Sequence, residues 1–86
     1  MPSSQKELPP SETSPFSVMW FETKLGVRYE MPDMQESDVT EAHRYLDEAD
    51  NSQYVHVRNI SSAILMIPKR IIKKAGVADR CFWEAR

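Results

Sequence analysis

An α+β domain with the element order β-β-α-β-β-α follows from three features of the sequence. An aromatic and apolar run starts at Phe16, and apolar and polar residues alternate with a period of two from Val27 to Met31 and again after Gln53. Between those stretches, Val39, Ala42, Leu46 and Ala49 recur at the helical period. Pro68 and Gly76 then bracket a segment in the way that a first-turn proline and a closing glycine bracket a short helix. The predicted sheet is small and mainly antiparallel, with the longer helix on one face and room for a short C-terminal strand at Cys81-Phe82-Trp83.

Residues 1–15 hold four of the six prolines and four serines, and Leu8 is their only large apolar residue apart from Met1. Such a segment buries too little to offset its ordering entropy, which predicts a disordered tail ahead of a single domain over 16–86. Leu8-Pro9-Pro10 as a polyproline II ligand and Ser14-Pro15 as a phosphorylation site compete with a plain solvated tail. Phe16 to Phe21 reads as a strand, Lys24-Leu25-Gly26 as a turn, and Val27 to Met31 as a second strand that Pro32 ends. Val27, Tyr29 and Met31 share one face, and Arg28 and Glu30 share the other.

Asp38 and Glu41 stand at the spacing at which an N-cap side chain and the third helical residue satisfy each other's backbone donors, so the helix is expected over Asp38 to Ala49. Val55 and Val57 oppose Tyr54, His56 and Arg58 across the next strand, and Asn59 to Ser62 make a turn. Ala63 to Ile67 is apolar on both faces, which predicts a central strand. After Pro68, Ile71 and Ile72 form the apolar side of a second helix whose left-handed cap is Gly76.

Composition removes several function classes. The longest apolar run, Ala63 to Ile67, is far too short to span a membrane, and a Pro- and Ser-rich start is unlike a signal peptide. One cysteine, Cys81, argues for a reducing, cytoplasmic setting and no disulfide scaffold, and its neighbours Phe82 and Trp83 suggest a buried thiol. With Gly26 and Gly76 the only glycines, no phosphate-cradling loop can be written. His43, His56 and Cys81 lack zinc-pair spacing and any local nucleophile signature, and the acids resemble a solvated helix surface. No cofactor, metal or catalytic residue is therefore expected, and the chain reads as a non-enzyme.

Charge divides along the chain. Residues 1–53 carry eleven acidic groups against four basic, whereas residues 54–86 carry two against seven. The halves either attract each other, within the fold or across a symmetric contact, or leave a basic surface for an acidic partner. Lys69, Arg70, Lys73 and Lys74 form the basic cluster, and its first two members would sit where a helix dipole disfavours cations. Solubility, salt bridges to acids and phosphate contacts all remain open for it.

Val57 to Asp79, VRNISSAILMIPKRIIKKAGVAD, resembles the AbrB/MazE swapped-hairpin family of DNA-binding proteins. Ser62, Ile67, Pro68, Ile71 and Gly76 match its pattern in register, and Arg58 falls at a basic position that the family uses on DNA. Ile60-Ser61 replaces the family's common Gly-Asn turn, Met66 stands where a basic residue is usual, and the chain reaches Arg86 without the family's final strand. Tyr54 to Arg70 also looks like the strand pair ending in Ile-Pro-Lys-Arg of the YcxB-like family, where it belongs to a β-rich soluble domain.

The leading expectation is a small protein-interaction module, a homodimer or a subunit of a larger assembly. Trp20 and Phe21 point to opposite sides of one strand, as do Ile64 and Leu65 of another, and one long helix cannot cover both faces. Trp20, Phe21, Arg58, Lys69, Arg70, Lys73, Lys74 and Trp83 are the interaction candidates. The alternative is AbrB/MazE-like DNA binding, as a transcriptional regulator or antitoxin.

Overall fold

The computed structural model describes residues 16–86, and the expectations for residues 1–15 lie outside them. In chain order the elements are β1 (Ser17–Thr23), β2 (Arg28–Met34), α1 (Glu36–Glu48), β3 (Tyr54–Arg58), β4 (Ile64–Pro68), one 3-10 turn (Lys69–Ile71), β5 (Ile72–Val77) and β6 (Arg80–Glu84). β2, β1, β5 and β6 form a four-stranded sheet in that order, while β3 and β4 form a separate two-stranded one. Every pairing is antiparallel.

The order β-β-α-β-β-β-β corrects the expected β-β-α-β-β-α. Where a second helix was expected, Ile72–Val77 is a strand lying between β1 and β6. As a strand, this segment pairs on both edges and buries Ile72 and Ala75, whereas a helix this short gains few bonds for the residues it orders. Gly76 is therefore no left-handed cap; among the described glycines only Gly26, in the β1–β2 turn, has positive φ, at 88°. Pro68 closes β4 with an extended ψ of 128° instead of opening a helix. β4 lies in the β3–β4 hairpin and not in the centre of a sheet, because β5 takes the place beside β1.

Pro32 does not end β2 either. Ser17 pairs with Met34 and Met19 with Met31, so Pro32 and Asp33 together oppose Val18 in a bulge, with Asp33 at φ 58°. β2 is an edge strand, where a residue without an N–H forfeits no ladder bond. The extra residue turns Met34 into the core.

α1 begins earlier than expected. Gln35 is its N-cap, and Asp38, at the third helical position, accepts the Gln35 N–H at 3.3 Å. The capping partnership thus uses Asp38 as its second member instead of its first. Ala42 and Leu46 are buried and Val39 packs against the core they join, the stripe read from the period. At the far end, Lys69 Nζ donates to the Ala49 carbonyl at 2.6 Å, which satisfies the helix terminus with a cation.

The core lies between the four-stranded sheet and a layer made of α1 and the β3–β4 hairpin. Met19, Phe21, Met31 and Ala75 come from the sheet, Ala42 and Leu46 from α1, and Val55, Val57 and Ile67 from the hairpin. His43 of α1 lies against Phe82 of β6, ring centroids 4.8 Å apart, and α1 also packs along β3. The hairpin turn is tied to the bulge of β2 through one buried residue. Asn59 Nδ2 donates to the Pro32 carbonyl at 2.8 Å, its Oδ1 accepts from Ser61 N and Ala63 N at 2.9 and 3.0 Å, and Ile60 N donates to the Asp33 carbonyl.

Candidate interaction surface

On the outer face of the four-stranded sheet one side chain of the sheet closes over the neighbouring backbone. Trp20 lies across Gly76, its Nε1 donates to the Ala78 carbonyl at 2.8 Å, and the Arg28 guanidinium sits 4.7 Å from its ring centroid. The indole is only 7% exposed. Next to it, register places Arg28, Glu22, Lys74 and Glu84 in one row across the four strands, alternating in sign. Part of the charge division along the chain is thus matched within the sheet. Cys81 is exposed on β6, its Sγ 3.5 Å from the Trp83 carbonyl, which corrects the expected buried thiol.

The remaining candidates scatter. Phe21 is fully buried, and Trp83 is half-buried against the core with Lys69 Nζ 5.9 Å from its ring centroid. Lys69 is committed to the end of α1, while Lys74 stands on the opposite face of the sheet beside Glu22 and Glu84. Lys73 and Arg70 are exposed, and Arg58 is exposed on the hairpin. Only Lys69 and Trp83 come together. Cations adjacent in sequence become separated in space, because Lys69 and Arg70 fall in the 3-10 turn while Lys73 and Lys74 are successive residues of β5 and face opposite ways.

The β3–β4 hairpin turns one face to solvent, with apolar side chains on it. Val55, Val57 and Ile67 face the core, so their neighbours Tyr54, His56, Arg58, Ile64 and Met66 face outward. Ile64 and Met66 are 58% and 52% exposed, on a strand with no charge between Ile64 and Pro68. His56 stacks on Tyr45 of α1 with centroids 5.6 Å apart and planes 13° from parallel. A cleft of about 260 Å³ runs between α1 and the hairpin, with Asp38 and Glu41 on one wall and Arg58 and Ile64 on the other. Beyond the foot of β4, Arg70 and Ile71 line a smaller apolar cavity with Leu25, Val27 and Tyr29.

Sequence reasoning singled out Ile64 as an apolar residue needing cover and set Tyr54 on the polar face of its strand, but left Met66 and Tyr45 out of the surface. A signal was present in the pairing of β4 with β3. The face of β3 carrying His56 and Arg58 is polar, so the β4 residues opposite them, Met66 and Ile64, share a solvent side.

No three His, Cys, Asp or Glu side chains converge as a metal site among the described residues, and no helix there is long and apolar enough to cross a membrane. Comparison of the chain with protein-family models, curated proteins and solved structures gives no match.

Proposed function

We propose that the chain is a small non-enzymatic interaction module that binds protein, either further copies of itself or a subunit of a larger assembly, through the outer face and free edge of the β3–β4 hairpin. One observation carries the reading: β4 is an edge strand with two half-exposed apolar side chains and none of the charges or bulges that blunt such edges. The single thiol supports a reducing, intracellular setting. Light scattering after gel filtration of the full chain at tens of micromolar is expected to give at least a dimer. Ile64→Lys is expected to weaken association without changing the circular dichroism spectrum. A folded monomer that no protein partner retains through this face refutes the reading.

The alternative, AbrB/MazE-like DNA binding, draws support from Arg58, which stands exposed on the hairpin and makes no ion pair among the described residues. The scatter of Lys69, Arg70 and Lys74 over different surfaces weighs against it. Retention on duplex DNA at physiological salt that falls with Arg58→Ala and Arg70→Ala, with a salt slope reduced by about one unit per lost contact, would establish that reading instead.

A further inference from the structure

Four strand edges are unpaired among the described residues, and three of them are guarded. β2 carries Pro32 and the Asp33 bulge, β6 carries Arg80 and Glu84, and the free side of β3 lies along α1. β4 has no guard before its terminal Pro68. Its inward bonds go to β3, in a ladder that Asn59 N to Ala63 O closes at one end and Lys69 N to Gln53 O at the other. By the alternation of an antiparallel ladder, the main-chain groups of Ile64 and Met66 therefore point away from β3 to the open side.

We infer that this edge pairs antiparallel with β4 of a second copy, about a two-fold axis through Met66, to give a continuous β3-β4-β4-β3 sheet. The inference rests on the interaction-module reading and specifies its partner. In this register Met66 exchanges both backbone bonds with Met66 of the second copy. Ile64 N–H donates to the Pro68 carbonyl opposite, so the missing N–H of Pro68 leaves only the Ile64 carbonyl without a donor. The two Met66 side chains meet on the exposed face, flanked by Ile64.

Charge selects the orientation. β4 is followed directly by Lys69-Arg70, and the turn before it is bonded to Asp33 through Ile60 N. Parallel pairing would set the two Lys69-Arg70 segments side by side. Antiparallel pairing carries each Arg70 toward the turn of the other copy, where Asp33 lies, and an unrelated peptide would bring no such matched ends. Neither Arg70 nor Asp33 has an ion-pair partner among the described residues.

Cross-linking tests the register. In a Cys81→Ser chain, Met66→Cys is expected to form a reducible dimer about tenfold faster than Leu25→Cys or Tyr54→Cys, because only position 66 meets its own copy within disulfide reach. The Met66 amide of the unmodified chain is expected to lose its protection from hydrogen exchange on dilution. Met66→Lys, which sets two cations opposite each other at a half-exposed position, should raise the dimer dissociation constant about tenfold or more and leave the monomer folded. A stable oligomer whose Met66 amide exchanges equally at every concentration, or which cross-links best at Leu25 or Tyr54, overturns this pairing and leaves the interaction-module reading standing. A folded monomer at every accessible concentration overturns self-pairing, and a heterologous protein retained through Ile64 and Tyr54 would then carry the broader reading alone.

Discussion

Replacing Gly76 with alanine adds one methyl group at a crowded backbone position of the sheet. The new carbon would stand 2.5 Å from Trp20 Cζ2 and 2.9 Å from Cys81 Cα, and closer still to the Arg80 carbonyl oxygen. Two of those three neighbours are backbone, so relief requires β6 to move off β5. Nor is Trp20 free to retreat, because its Nε1 is bonded to Ala78 O and Arg28 lies over its ring. Overpacking of this kind costs about 1–3 kcal/mol. Displacement of the indole forfeits a hydrogen bond worth roughly 1 kcal/mol. Alanine in a strand recovers about 0.5–1 kcal/mol of backbone entropy, which leaves a net loss of roughly 1–3.5 kcal/mol. Urea melts followed by tryptophan fluorescence would read it as a lower midpoint. Gly76→Asn separates the strand from the left-handed cap suggested by the sequence: a cap tolerates asparagine, whereas this notch should lose at least as much as with alanine. An alanine variant as stable as the parent, or an asparagine variant milder than alanine, would refute the close-approach argument. Gly26→Ala is the control, with open space around the new carbon and φ at 88°, and should cost about 1–2 kcal/mol through backbone strain alone.

Asn59→Ala removes one donor and one doubly used acceptor from a residue that is 5% exposed, and denaturant melts should show a loss of about 2–4 kcal/mol. Asn59→Asp keeps both accepted bonds but turns a carboxylate toward the Pro32 carbonyl, so it should recover only part of that loss. Lys69→Met leaves the Ala49 carbonyl without its cation and should cost about 1–2 kcal/mol, with hydrogen exchange accelerating first in the last turn of α1.

Local pattern was enough for the elements whose buried faces are decided by period alone. The alternation of β3, with Val55 and Val57 inside, and the stripe of Ala42 and Leu46 in α1 stand in the structure as the sequence spaced them, because one face of each packs on a single core. At Ile72–Val77 local pattern pointed the wrong way. A proline ahead and a glycine behind are compatible with a helical turn, yet the strand is selected by β1 and β6, which lie 49 or more positions upstream and three downstream. Composition also said little about which apolar face would stay uncovered. β4 reads as buried on both sides, but once β5 fills the place beside β1, only one side of the hairpin meets the core and Ile64 and Met66 are left to solvent. Trp20 moves the other way, from a residue seeking a partner to one closed over Gly76 by its own sheet. Residue spacing therefore settles which side chains share a face, since that depends on backbone geometry within one element. Which face is covered depends on long-range strand pairing, and that is a property of the assembled layers.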